Sequence, residues 1–222
     1  MCGRFTLFEA DQILSREFSV HVPLSLAPRY NIAPSQPVAT IRISPATGER
    51  EMAVFRWGLV PHWAKDPSIG NRMINARAET AHEKPAFKSA FRNRRCLIPT
   101  NGFYEWQKQE RYKQPFFVRM RKGRLFAFAG LWDHWEEEGG SAVDTCTILT
   151  TGTNEILKPI HDRMPVIVAP QNYDLWLYVS IKSPETLNPI LVPYNPEEME
   201  SYPVRSIVND PSHEGVECIE AA

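Results

Sequence analysis

Nineteen prolines punctuate the 222-residue chain, and they constrain its fold more than any other feature. A proline fixes its own φ and donates no hydrogen bond, so it breaks a helix interior and sits only at strand edges or ends. A chain cut this way favours many short strands over long helices. Strand-like runs cover Pro37–Ile43, Met52–Gly58, Arg95–Pro99, Gly102–Gln107, Pro115–Met120, Leu125–Leu131, Thr145–Thr151 and Val166–Val168. Thr6 to Glu9 has the spacing of a capping box and predicts a helix to about Phe18. Pro85 predicts a second helix, with Phe87 and Phe91 one turn apart and Arg92, Arg94 and Arg95 at its end. Asn172 to Val179 predicts a third, and Ser183-Pro184-Glu185 a short fourth. Glu136-Glu137-Glu138-Gly139-Gly140-Ser141 reads as a hairpin or surface loop. The fold class expected is α+β, with mostly antiparallel sheets curled into a barrel-like core and peripheral helices.

The length suits one domain spanning residues 1–222, large enough to bury a real core. No apolar run approaches the roughly 20 residues that cross a bilayer. The opening Met-Cys-Gly-Arg-Phe lacks a signal-peptide pattern, so a cytoplasmic protein with no membrane partner is expected. The four cysteines, Cys2, Cys96, Cys146 and Cys218, are widely spaced, with no C-x-x-C and no Cys/His pair at zinc spacing. Neither a metal nor another cofactor is expected. Cys96 and Cys146, among apolar and β-branched neighbours, read as core residues.

A net charge of −1 argues against a nucleic-acid partner, but it hides an asymmetry. Residues 1–131 hold 21 Lys and Arg against 10 Asp and Glu, a balance of +11, and residues 132–222 hold 4 against 16, a balance of −12. If the basic residues share a face, they form an anion-attracting surface. Scattered, they are only solvated positions.

Position singles out Cys2. Loss of Met1 would leave an N-terminal cysteine, with an amine of pKa near ~8 beside a thiol near ~8.5, both partly reactive at neutral pH. This pair has a specific partner in an aldehyde. The amine forms an imine, and the thiolate closes on it to give a five-membered thiazolidine. Position alone still leaves Cys2 open to being incidental.

Six motifs bear on that choice. They are Cys2-Gly3-Arg4-Phe5, Arg29-Tyr30-Asn31-Ile32-Ala33-Pro34, Trp57-Gly58-Leu59-Val60-Pro61, Ile74 to Thr80, Cys96 to Pro99 with Gly102 to Trp106, and Ile160 to Pro165. In this order, from Met1 to about Asn209, they resemble the SRAP (SOS response-associated peptidase) family. The resemblance implies an SRAP fold and a sensor of abasic sites that crosslinks itself to single-stranded DNA through Cys2. It places the protein in the DNA damage (SOS) response, at the nucleoid when DNA is damaged. A weak lyase side activity and self-removal of Met1 are compatible with it, and a monomer is expected.

The resemblance also assigns roles. Asn75, in a motif too polar for a plain strand, would orient the sugar or Cys2; without the match it could equally cap a turn. Glu105, among aromatics, would exchange protons near pH 7 if burial raised its pKa, the alternative being a strand glutamate paired with an arginine. His161 would serve as acid or base in opening the closed sugar. Arg4, Arg77 and Arg163 would grip phosphates, and Asn31 joins them as a DNA-binding residue. Pro34 and Trp63 would wedge against bases beside the lesion. His62 departs from bacterial relatives that carry two adjacent tryptophans there, and Asn101 from relatives with Asp. Two other functions fit the same residues: a thiol peptidase using Cys2, Glu105 and His161, and a non-enzymatic single-strand binder.

Overall fold

The computed structural model describes residues 2–22, 26–137 and 139–222, so Met1, residues 23–25 and Glu138 lie outside the described residues. In chain order come β1 (Phe5–Leu7), α1 (Asp11–Phe18), β2 (Arg29–Ile32), β3 (Pro37–Ile43), β4 (Arg50–Trp57), β5 (Asn75–Arg77), α2 (Ala78–Ala81) and α3 (Pro85–Asn93). Next are β6 (Arg95–Thr100), β7 (Gly102–Lys108), β8 (Lys113–Met120), β9 (Phe126–Glu136), β10 (Ala142–Gly152), β11 (Arg163–Pro165) and β12 (Ile167–Val168). Helices α4 (Tyr173–Leu177) and α5 (Pro184–Leu187) and strand β13 (Met199–Pro203) complete the set.

Five strands close into a barrel. β3 pairs antiparallel with β4 and β6, β6 with β9, and β9 with β10, which returns to β4 through a short parallel contact. Closure leaves no edge between these strands. On the rim, β5 lies parallel to β10, with Ile148 opposite Asn75 and Thr150 opposite Arg77. A second, antiparallel sheet runs in the order β13-β8-β7-β1-β2. The expected α+β class, with a mostly antiparallel, barrel-like core, is borne out. The strand patterns did not disclose the parallel β4–β10 and β5–β10 pairs.

The two sheets share an aromatic seam. Phe5 meets Trp57 edge-on at 5.2 Å and Phe128 at 5.8 Å, and Phe103 meets Phe128 at 5.8 Å. Such pairs contribute about 0.5–1.5 kcal/mol each beyond their burial. All of β6 is buried, because α3 and α4 pack against this part of the wall. Its apolar run therefore does not alternate.

Two local expectations are corrected. Thr6 lies in β1, where its hydroxyl donates to Gly102 O, and α1 begins only at Asp11 with no side-chain cap. Strand pairing has overridden the capping signal. Arg95 lies beyond the helix, which ends at Asn93, rather than at its C-terminal end. It opens β6, 1 % exposed, and donates to the carbonyls of Trp176, Phe91, Tyr178 and Ile181, tying α4 to the barrel. Helix α3 otherwise starts at Pro85 as expected, and the acidic Gly-containing segment joins β9 to β10.

Candidate active site

Strand β1, which starts at Phe5, positions Cys2. Phe5 pairs with Phe103 and Thr6 with Gly102, while the Tyr104 amide donates to Arg4 O. Continuing this antiparallel register sets Glu105 opposite Gly3, beside Cys2. From the barrel side, Asn75 Nδ2 donates to Cys2 O at 2.8 Å. The Asn75 side-chain oxygen is buried and accepts no hydrogen bond among the described residues. An acceptor without a donor carries a desolvation cost, so one placed here is suited to a donor on the reacting group.

Cys2 itself is fully buried, and burial pushes its thiol well above the ordinary range, with the Glu105 charge adding to the rise. Glu105 is 2 % exposed, and burial lifts its carboxyl from 4.5 to about 7. Burial also lowers His161 below its ordinary value, so its ring is neutral at pH 7. The Arg163 amide donates to His161 Nδ1 at 3.0 Å, which puts the neutral ring's proton on Nε2. The Asp162 carboxylate stands 2.9 Å from the same nitrogen, a contact that only the protonated ring converts to an ion pair. Gln107 fixes the His161 loop by donating to Pro159 O, and Asn154 anchors its other end through the Leu157 amide.

Glu105 and His161 line an open pocket of about 390 Å³, together with Arg4, Trp106, Lys113 and Asn209. The pocket and the contacts of Cys2 thus bring Cys2, Asn75, Glu105, His161 and Arg4 together. Trp106, Lys113 and Asn209 were missed. Trp106 adjoins Glu105 in its motif and could have been found; Lys113 and Asn209 carried no signal.

The DNA-binding candidates divide. Arg77 is exposed at the end of β5. Arg4 is half-buried, with Nη1 donating to Asn31 Oδ1 and Val208 O and Nη2 to Asn209 O. Asn31 has no exposed surface, so the structure does not offer it to a strand. Its amide nitrogen donates to the carbonyls of Val208, Asp210 and His213, and it serves Arg4 from beneath. Arg163 is gripped at both terminal nitrogens by Glu79 at 2.8 Å, leaving 16 % of its side chain exposed. Trp63 is 53 % exposed. Pro34 lies in the turn before β3, whose Ser35 amide donates to Trp57 O, so both wedge candidates flank the end of β4. The Trp63 loop folds back because Gly58 and Gly70 touch: a Cβ on either would lie 2.6 Å from the other's carbonyl oxygen, and Gly58 has φ +129°.

The charge asymmetry turns out to be largely internal. Arg29, Arg42, Arg50, Arg94, Arg119 and Arg124 of the basic half pair with Glu214, Asp144, Asp174, Asp133, Glu200 and Glu198 of the acidic half. Among the described residues no cluster of three or more His, Cys, Asp or Glu could hold a metal ion, and no helix is long and apolar enough to cross a membrane.

Fold and site together define a barrel-and-sheet protein that gathers acid–base groups around the second residue of its chain. The chain belongs to the SRAP family: the family model, SOS response associated peptidase, matches residues 1–211. Abasic site processing protein YoqW of Bacillus subtilis (strain 168) is 44 % identical over 225 residues, covering all of both chains. Abasic site processing protein HMCES of Xenopus tropicalis is 31 % identical over 79 % of this chain and 58 % of its own length. The crystal structure of a Bacteroides thetaiotaomicron protein superposes with a TM-score of 0.89 at 25 % identity, covering both chains in full.

Proposed function

We propose that this chain senses abasic sites in single-stranded DNA and captures them covalently through Cys2 once Met1 has been removed, shielding the lesion during the DNA damage response. The observation that carries this reading is the meeting of Cys2 with Asn75 and with a carboxyl lifted to about 7. The name borne by the Bacillus and Xenopus relatives points to the same lesion.

An abasic deoxyribose is a masked aldehyde. Neutral His161 relays a proton at the ring oxygen and opens the sugar. The free amine of Cys2 adds to the aldehyde carbon, giving a carbinolamine. Protonated Glu105 donates its proton to the carbinolamine hydroxyl, which leaves as water, and an iminium forms. Glu105, now a carboxylate, takes the proton of the thiol, and sulfur attacks the iminium carbon. A C–N and a C–S bond have formed, one water has left, and Glu105 is protonated again. A thiol that burial keeps protonated needs this base, and a carboxyl titrating at about 7 can both give and take the proton. Asn75 holds the Cys2 carbonyl while its oxygen accepts from the Cys2 amine or the sugar. Arg4 and Arg77 hold flanking phosphates, which positions the strand without reading its sequence. Trp63 and Pro34 lie against neighbouring bases. Premature loss of the iminium by β-elimination would give weak lyase activity.

The test is incubation with an oligonucleotide carrying one abasic site, followed by denaturing electrophoresis. A heat-resistant band is expected from the wild type and none from Cys2→Ala; a band in the variant overturns the proposal. The family's name favours a second reading, a thiol peptidase. Against one that cleaves other proteins stands a fully buried thiol whose pKa is raised, since the thiolate is the nucleophile. Self-removal of Met1 stays compatible with the site. A Glu105→Gln chain that keeps Met1, by intact mass, would show it.

A further inference from the structure

The end of the chain closes over the back of Arg4. Residues 206–209 form a 3-10 turn whose Val208 and Asn209 carbonyls accept from the Arg4 guanidinium, and Asn209 Oδ1 accepts from Trp106 Nε1 at 2.7 Å. The fastening lies further on, at Glu214. One of its oxygens accepts from the backbone amides of Tyr30 at 3.1 Å and Asn31 at 3.0 Å, and the other from Arg29 Nε and Nη2 at 3.2 and 2.6 Å. A single carboxylate thus holds four donors of β2, the shortest bond being the charge-assisted one from Arg29 Nη2 at 2.6 Å. Asn31, clamped between, bonds three carbonyls of the same segment on one side and Arg4 on the other. The bonds run unbroken from Glu214 through Asn31 to Arg4, and Arg4 lines the pocket that holds Glu105 and His161. Glu214 lies outside the residues matched by the family model, which end at 211.

We propose that Glu214 is a positioning residue, the latch by which residues 206–214 keep Arg4 aimed across the mouth of the pocket. The inference rests on reading Arg4 as a phosphate grip. Removing the carboxylate would leave two β2 amides without acceptors and free the segment that supplies Asn31 and Arg4 with carbonyls. Arg4 would still be present but no longer held in one direction.

The experiment measures affinity for an intact single-stranded oligonucleotide against salt. Loss of one phosphate contact lowers the log–log slope by about 0.7 for a single strand. Glu214→Ala is expected to lower the slope by that amount, as is Arg4→Ala, and the double variant is expected to fall no further. In Glu214→Ala, reaction of the mature Cys2 terminus with glycolaldehyde, which has no phosphate to grip, is expected to stay unchanged. Glu214→Gln, which keeps an acceptor for the backbone amides, should lose less. If Glu214→Ala does not fold, Glu214→Gln is read in the same way, and a wild-type slope in it overturns the latch. A folded Glu214→Ala with an unchanged slope, or a loss that adds to that of Arg4→Ala, also overturns it. An unchanged slope in Arg4→Ala breaks the phosphate reading and the latch with it. Failure of covalent capture by the wild type would instead break the proposed function, leaving the salt comparison to judge the latch.

Discussion

Two clefts in this molecule are built from the same kinds of residue and behave differently. One joins Glu105, His161 and Arg4 in about 390 Å³; the other joins Asp133, His62, His134 and Arg94 in about 600 Å³. In the larger, the buried Asp133 carboxylate is surrounded by donors. The His62 and His134 amides bond it at 3.1 and 2.9 Å, and His62 Nδ1 lies at 3.1 Å. Arg94 Nε faces it at 3.1 Å as an ion pair without an aligned hydrogen bond. This is an anchor: it pins the start of the Trp63 loop, whose far side is held where Trp135 donates to Ala64 O at 2.7 Å. At Glu105 desolvation dominates, and the carboxyl is left able to exchange a proton near neutrality. Solvation of the carboxyl, more than the size of the cleft or its residue types, separates chemistry from scaffolding.

The comparison can be broken most directly at Glu105. Glu105→Gln should slow crosslinking by about 10²–10⁴-fold, the range of a lost general acid–base group. The wild-type rate should rise to about pH 7, level off while the Cys2 amine deprotonates, and fall about tenfold per pH unit above about 8, where loss of the Glu105 proton is no longer offset. Single-turnover rates from pH 5 to 9 check both, and a flat profile would place the acid elsewhere. Asp133→Ala should leave that profile in place but destabilise the protein by about 2–3 kcal/mol. The figure sits below that for a fully buried pair because 23 % of the Arg94 side chain stays exposed. Urea titration measures it, and a variant as stable as the wild type would show that Asp133 anchors nothing.

A further effect concerns stability and has a definite sign. The folded chain keeps the Glu105 proton up to about pH 7, whereas the unfolded carboxyl loses it near 4.5. Between those values the native state binds more protons, so this group lowers stability as pH rises from about 4.5 to 7. Glu105→Gln should therefore raise the melting temperature more at pH 8 than at pH 4. An equal change at both values would mean that Glu105 ionises normally.

Much of this was legible in the sequence. β3 runs from Pro37 to Ile43 as its pattern indicates, and the other seven strand runs lie within a few residues of observed strands, because long alternating or apolar runs carry their own signal. β1, β5 and β11 have three residues each and exist only through their partners, so composition could not reveal them. Asn75 and Glu105 could be named from their motifs, but the bond from Asn75 to Cys2 spans 73 positions and depends on barrel closure. Charge counting was limited for a related reason: a tally by halves cannot show that Arg29 meets Glu214 or Arg50 meets Asp174. Asn31 is assigned to DNA by the resemblance alone, whereas in the fold carbonyls of residues 208–213 cover it.

The burial of Cys2 also sets a schedule for synthesis. Its cover comes from β7, which begins at Gly102, and from Asn75, whose partner β10 reaches Ile148. At about 5–20 residues per second a ribosome takes roughly 7–30 s to reach that point. During that interval the amino end of the nascent chain is open to a processing enzyme. Once the barrel shuts, the Cys2 side of the Met1–Cys2 bond is inside the protein. On the proposed mechanism, a processing enzyme would reach the Met1–Cys2 bond most readily while translation is still under way. The fraction of chains that lose Met1 would then be set by a race between a processing enzyme and the closing of β10.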